Sequence, residues 1–489
     1  MLDEAGEVLL GQKPSGPVSL LGRACHGLFR TCGKCRLILG ALVLLALAVG
    51  GYRVRESAWW QQRMPFPASH TPPAELVRGV SLGGWLVLES FITPGLFDRA
   101  NELSRSNGLG CPLIVDQWSI HECLGANASL ALLAPHWDGW VTHADLLKLR
   151  ATGLNTLRIP VPYWLVDIQE GEPWVGQAQM AEALGKVLKW SVELGFKVLV
   201  DLHAAPGSQN GFDNSGRVGH TDWQSADASG LSNVRRTLIV WQQLVSLLSE
   251  LAATAGVSNL DELLAGLEVL NEAPCFDPQI DREVLRAFVV DAYFVLRGAL
   301  KSDVVPIYFH DCFYPHAWSD FLAQPPPSLN SNGQSRRFVN LRLDRHEYQV
   351  QLLACEQAFS IVQNMQTHPT LVGEFSVAVN DCDRYLNGYA KGARFDGTPP
   401  FTNPPIGSCE PYRRASNFSP AYIAFLRQYA ERQMAAWDVG LGWIYWNFKT
   451  EDGCAPHFDY LLGVAMGYLP PEAGVYRHAC PKYLRRTMV

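Results

Sequence analysis

The stretch Gly266-Leu267-Glu268-Val269-Leu270-Asn271-Glu272-Ala273-Pro274 holds a short apolar run, Leu267 to Leu270, of the length a buried strand needs, and Pro274 stops it. Such a strand delivers Asn271 and Glu272 together at its carboxyl end, an amide donor beside a carboxyl. Taken alone, the pattern is better read as a strand running into a solvated polar turn. About 100 residues later Leu371-Val372-Gly373-Glu374-Phe375 gives another apolar strand ending in a glutamate. Parallel α/β barrels gather their active sites at the carboxyl ends of their strands. Two carboxyls on two such ends are the minimum equipment for hydrolysing a glycosidic bond.

Outward from these two strands, apolar strands alternate with amphipathic helices from about Leu76 onward. The candidate strands are Arg78–Leu82, Thr156–Pro160, Val198–Leu202, Leu267–Leu270, Val304–Phe309, Phe338–Leu343, Thr370–Glu374 and Trp443–Trp446. Helical patterns fall between them at Trp137–Ala151, Met180–Leu194, Val234–Ala253, Arg282–Leu300, Gln349–Gln366 and Pro420–Trp437. Eight strands with intervening helices predict an α/β fold, a (β/α)8 TIM barrel with long βα loops. No internal repeat and no second domain is visible.

The 489 residues, 48% hydrophobic and 11% aromatic, suffice for one large core. Fifteen tryptophans suit a site that stacks flat sugar faces, although most tryptophans simply pack. A net charge of −7 supplies no basic field for nucleic acid. The sequence has no nucleotide-binding glycine loop, P-loop or zinc-ligand cluster, so neither a metal nor an organic cofactor is expected.

Residues 1–36 read as a disordered cytoplasmic tail ending in Arg23, Arg30, Lys34 and Arg36. Leu37 to Tyr52 follows without a charge, slightly short of the ~20 residues a spanning helix prefers. The reading is a single transmembrane signal anchor at 37–52 with type II orientation, which places the rest of the chain outside the cell or in a lumen. The rival is a signal peptide cut near Ala46-Leu47-Ala48, giving a secreted protein, and the long leader argues against it. A Pro-rich linker occupies 53–76 and the catalytic domain 77–489, expected as a monomer. Nine of the twelve cysteines lie beyond the anchor, which points to an oxidising compartment, several disulfides and at least one unpaired thiol. Spacing does not fix the pairing; Cys111 with Cys123 and Cys382 with Cys409 are our choices. Sequons stand at Asn127 and Asn417, the second weakened by Pro420.

Nearly every expected strand ends in residues able to line a cleft. Arg158 ends the second, His203 and the stretch Ala205 to Asn214 follow the third, His346 and Tyr348 close the sixth, and Trp446 ends the eighth. Each has a packing reading: Arg158 as a buried ion-pair partner, His203 as a hydrogen-bonded core histidine, Trp446 as a barrel plug. Their common placement at one end of successive strands favours a site.

These residues carry a resemblance. Arg78 to Glu89, Leu154 to Pro160, Asp201 to Gly216, Asn271-Glu272-Ala273-Pro274, Val372 to Ser376, Tyr385 to Gly388 and Gly442 to Glu451 resemble, in order, glycoside hydrolase family 5 and within it the exo-β-1,3-glucanases of fungi and related eukaryotes. The resemblance implies retaining cleavage of terminal glucose from β-1,3-glucans, for glucan or cell-wall remodelling, with Glu272 as acid/base and Glu374 as nucleophile. It implies Asn271 at the sugar 2-hydroxyl, and His346 and Tyr348 around the nucleophile. It further implies Glu89, Asp213 and Asn214 on hydroxyls of the terminal sugar, with Trp446 as its floor. Arg158 would keep Glu374 ionised, His203 would bond a hydroxyl or orient Arg158, and Glu272 would have its pKa raised.

Three departures stand out. Relatives usually read Asn-Glu-Pro and Gly-Glu-Trp where this chain has Asn271-Glu272-Ala273-Pro274 and Gly373-Glu374-Phe375. Gln351 also replaces the phenylalanine that usually pairs with the one matching Phe212 at the cleft mouth. That change bears on leaving-side preference and keeps a second enzyme reading open, a β-glucosidase or transglucosylase acting on β-1,6-glucan or a glycolipid. A non-catalytic glucan-binding protein is the third reading, disfavoured by the two glutamates standing with Arg158, Asn271, His346 and Tyr348.

Overall fold

The computed structural model describes residues 76–478 except 227–229, 277, 279, 315–317, 319–320, 322–337 and 349–369. The expected anchor at 37–52, the helix at Gln349–Gln366, Gln351, and Cys25, Cys32, Cys35, Cys355 and Cys480 lie outside these residues. Among the described residues, no helix is long and apolar enough to cross a membrane.

Eight parallel strands form a closed barrel in chain order: β1 Val77–Ser81, β2 Thr156–Pro162, β3 Lys197–Ala204, β4 Leu264–Glu268, β5 Ile307–His310, β6 Leu341–Glu347, β7 Thr370–Phe375 and β8 Gly442–Tyr445. Closure comes where β1 meets β8, Val77 opposite Gly442 through Val80 opposite Tyr445. Only glycine fits at 442, because its φ is +112° and a Cβ would run into the Val77 carbonyl. β3, β5, β7 and β8 contribute Leu199, Tyr308, Leu371 and Ile444 to one buried cluster, so the barrel is a packed core and not a pore.

Every expected strand is present, with shifted bounds at β4, β5 and β6: β5 and β6 each begin three residues later than expected, and β4 ends at Glu268, so Val269 to Glu272 belong to the loop beyond it. Helices α1 Pro94–Ser106, α2 Gln117–Gly139, α3 His143–Ala151, α4 Gln177–Leu194, α5 Asn233–Thr254, α6 Arg282–Leu300, α7 Pro420–Trp437 and α8 Tyr460–Met466 are the α-helices among the described residues. The single helix expected at Trp137–Ala151 is broken in two. Thr142 and Asp145 form a capping box that starts α3 afresh. α1 and α2 were not expected; α2 contains Gly125 in a non-helical conformation and Pro135, which hide its period.

The disulfides Cys111–Cys123 and Cys382–Cys409 are formed as expected. A third, Cys275–Cys312, ties the loops after β4 and β5. Cys454 is a free thiol, and burial pushes it up to about 12.

Candidate active site

The carboxyl ends of β2, β3, β4, β6 and β7 bring the expected side chains together. A register shift between β6 and β7 falls at Arg345/His346, after which His346 lies opposite Glu374. Such bulges re-aim side chains at functional edges. Gly373 lets the two strands approach: its N–H donates to Asp344 Oδ1 at 2.7 Å, and a Cβ there would collide with that carboxylate. Gly373→Ala is therefore expected to lower stability by about 1–3 kcal/mol, read as a fall in the thermal midpoint.

Arg158 is fully buried and organises the carboxyls. It contacts Glu374 Oε1 at 2.6 Å, Glu268 Oε2 at 2.8 Å and Asp201 Oδ2 at 3.0 Å, and donates to Asn271 Oδ1 at 2.9 Å. Burial alone would lower its pKa, but Asp201, Glu268 and Glu374 outweigh that and hold it charged. Tyr348 donates its hydroxyl to the other oxygen of Glu374 at 2.7 Å. Glu272 takes a left-handed φ of +44°, a strained setting for a side chain that small loops rarely impose. Its Oε1 lies 2.7 Å from His346 Nδ1, and its Oε2 accepts from Asn214 Nδ2 at 3.2 Å.

His346 Nδ1 thus sits 2.7 Å from Glu272 and 3.5 Å from Glu374 Oε2. Two oxygens flanking one nitrogen cannot be farther apart than those reaches laid end to end. That limit applies to the facing oxygens and puts the two carboxyls on either side of a gap the size of one sugar's reacting centre.

Asn271 Nδ2, His203 Nε2 and Glu89 Oε1 are among the buried polar atoms with no hydrogen-bond partner among the described residues. Buried groups of this kind need partners, and sugar hydroxyls are the right size and polarity. His203 Nδ1 is held by Asp201 Oδ2 at 2.6 Å, and its ring stacks on Trp446 at 5.3 Å. Burial, then Asp213, Glu374 and Glu272, push the Glu89 carboxyl well above its usual range. In its protonated form it donates as well as accepts. Asp213 Oδ2 accepts from the Ser90 N–H and hydroxyl at 3.2 Å. Phe212 is 38% exposed at the rim.

The protonation pattern differs from the expectation. Burial raises Glu374 despite His346 and Arg158. Burial also pushes Glu272 up, but the hydrogen bond and charge of His346 win and leave it lowered. Burial opposes a charged imidazole, yet Glu374, Asp344 and Glu272 lift His346 well above 6.5. A proton in the His346–Glu272 hydrogen bond belongs to the pair, whichever atom carries it.

Glu268 and His310 also build the site and were not expected there; Asp344 and Gln209 stood in stretches expected to line the cleft but had no role assigned. Gln209 Nε2 ties the His203 and Asn271 carbonyls at 2.7 and 3.0 Å. An acidic residue inside an apolar strand, as in Gly266 to Leu270, was the available signal, because a buried carboxyl must be paired. Two triads, Glu272 with His310 and His346 and Glu268 with Asp344 and His346, have ligand-type atoms within 4.8 Å of one another. Both rely on His346, which must lose its proton to ligate, so they suit a proton network better than a metal. A cavity of about 460 Å³ beside Trp118, Tyr163, Trp174 and Arg236 touches neither Glu272 nor Glu374.

No family model matches the chain. The probable glucan 1,3-β-glucosidase A of Aspergillus terreus is 35% identical over 417 residues, covering 83% of this chain and 91% of the relative. The chain belongs to the glucan 1,3-β-glucosidase family. The glucan 1,3-β-glucosidase of Candida oleophila is 35% identical over 414 residues, covering 81% of this chain and 88% of its own length. The crystal structure of rutinosidase from Aspergillus niger superposes with a TM-score of 0.57 at 18% identity, over 81% of this chain and 98% of that one. That likeness is one of fold, and it matches the barrel described for this member of the family.

Proposed function

We propose that the chain is a retaining, exo-acting glucan 1,3-β-glucosidase that releases terminal glucose from β-1,3-glucans by double displacement. The observation that carries this reading is the pair of glutamate carboxyls flanking His346 Nδ1 at 2.7 and 3.5 Å, which sets them face to face across one cleft as double displacement requires. Glu374 attacks the anomeric carbon while the His346–Glu272 pair delivers a proton to the leaving oxygen. Water, deprotonated by Glu272, then hydrolyses the glucosyl ester. Asn271 Nδ2 binds the 2-hydroxyl, His203 and Glu89 bind further hydroxyls with Asp213 and Asn214, and Trp446 lies under the ring. Segment 37–52 anchors the chain as a type II membrane protein, with the barrel outside the cell or in a lumen.

The profile of kcat/KM against pH should be bell-shaped. On the acid side activity fails as Glu374 protonates, above its ordinary 4.5. On the alkaline side it fails as the His346–Glu272 pair loses its proton, with His346 well above 6.5. His346→Gln leaves a carboxyl alone to hold that proton, so the alkaline limb should move down by about one unit or more. A limb that stays in place removes His346 from the pair.

Product analysis of the purified protein against β-1,3-, β-1,4- and β-1,6-glucans tests the whole reading. Glucose released first as the β-anomer from β-1,3 chains is expected. Preference for β-1,6 chains or for a glucolipid moves the chain to the alternative β-glucosidase, and binding without turnover defeats both.

A further inference from the structure

We infer that Cys275 and Cys312 are positioning residues for the acid/base: their disulfide ties the Glu272 loop and the His310–His346 ring pair into one closed circuit. The inference rests on the reading above. Glu272 holds a left-handed φ of +44°, a setting that persists only where the surroundings fix it. On its amino side the Asn271 N–H donates to the Leu202 carbonyl at 3.0 Å, and Gln209 Nε2 donates to the Asn271 carbonyl at 3.0 Å. On its carboxyl side the chain runs through Ala273 and Pro274 to Cys275, where the disulfide takes hold. Pro274 fixes its own φ and narrows the choices of Ala273, but neither effect reaches Glu272.

The far end of the tie is firm. Cys312 is fully buried, and its loop is anchored on both sides. The Asp311 N–H donates to the Asp344 carbonyl of β6 at 3.0 Å, and Trp318 Nε1 donates to the Asp311 carbonyl at 2.9 Å. The Cys312 N–H donates to His310 Nδ1 at 3.1 Å. The His310 ring packs on that of His346 at 4.4 Å, and His346 Nδ1 lies 2.7 Å from Glu272 Oε1, which closes the circuit. Both partners in proton delivery therefore reach the same bridge, Glu272 along the chain and His346 through the His310 ring.

What the bridge supplies is placement. A general acid is worth about 10²–10⁴-fold, and only while it stays within hydrogen-bond reach of the leaving oxygen. Without the bridge the carboxyl side of Glu272 is released, its backbone relaxes from the left-handed setting, and the carboxyl moves off His346. Attack by Glu374 does not depend on the bridge, because Arg158 and Tyr348 hold that carboxylate from β2 and from the end of β6.

The test compares kcat/KM for two glucosides of similar shape. Phenyl β-D-glucoside has a poor leaving group that needs a proton, and 2,4-dinitrophenyl β-D-glucoside has one that leaves without it. Cys275→Ser with Cys312→Ser should lower the phenyl-to-dinitrophenyl ratio about tenfold. Cys111→Ser with Cys123→Ser, which removes a disulfide outside the circuit, should leave the ratio in place. If the first serine pair does not fold, the ratio is read on the unsubstituted protein partly reduced by a phosphine, with the freed thiols located by alkylation. A ratio unmoved by loss of the Cys275–Cys312 bridge, or moved equally by loss of either bridge, overturns the positioning role alone. No turnover of the dinitrophenyl glucoside by the unsubstituted protein overturns the catalytic reading and the positioning role with it.

Discussion

Glu374→Gln should lower kcat by about five orders of magnitude, on the order of 7 kcal/mol in barrier. The amide keeps the shape, and Arg158 Nη1 and Tyr348 can still reach the side chain. What disappears is the ability to form a glucosyl ester, and no neighbouring group can substitute. Folding should survive, because removing a buried negative charge also removes its desolvation cost. Azide identifies the role beyond mere loss. With an activated glucoside and Glu374→Ala, azide should enter from the vacated side and give the α-glucosyl azide. Glu272→Ala should instead accumulate the covalent intermediate and give the β-azide. The same anomer from both variants would reject the assignment of roles.

Arg158→Met is expected to be the most damaging change to the fold of the site, costing about 3–5 kcal/mol. Methionine fills similar space but leaves Asp201, Glu268 and Glu374 without the guanidinium that they share. Against a typical total stability of 5–15 kcal/mol, the loss is a large fraction. The sign of its pH dependence checks the cause. Unpaired buried carboxyls have folded pKa values above their unfolded ones, so the variant should recover stability as pH falls and lose it as pH rises. A deficit that is flat with pH would mean that packing, and not charge, is what Arg158 supplies. Arg158→Lys should recover little, since one ammonium cannot reproduce a fork that serves four partners.

The barrel was legible because buried parallel strands are nearly continuous apolar runs, and eight of them stand out in order. α6 and α7 match their expected bounds residue for residue, since their apolar period is clean and Asp281 and Ser419 cap their starts. β4 was misplaced because Val269 and Leu270 are as apolar as the strand that precedes them, and ladder pairing, not hydropathy, decides where a strand ends. Chemistry-bearing residues at strand ends were visible as residue types. Their partners were not. Nothing in the spacing of His346 says that its Nδ1 contacts Glu272, a residue 74 positions away, or that this contact reverses the order of the two glutamates. The Cys275–Cys312 bridge was missed because pairing depends on which loops the barrel brings side by side.

Arg158 leaves strand β2, but the groups it holds arrive on β3, β4 and β7. During synthesis, therefore, no fragment ending before β7 contains both glutamates, and the last pieces of the reaction centre are delivered late. Hydrolytic competence is among the final properties the growing polypeptide acquires.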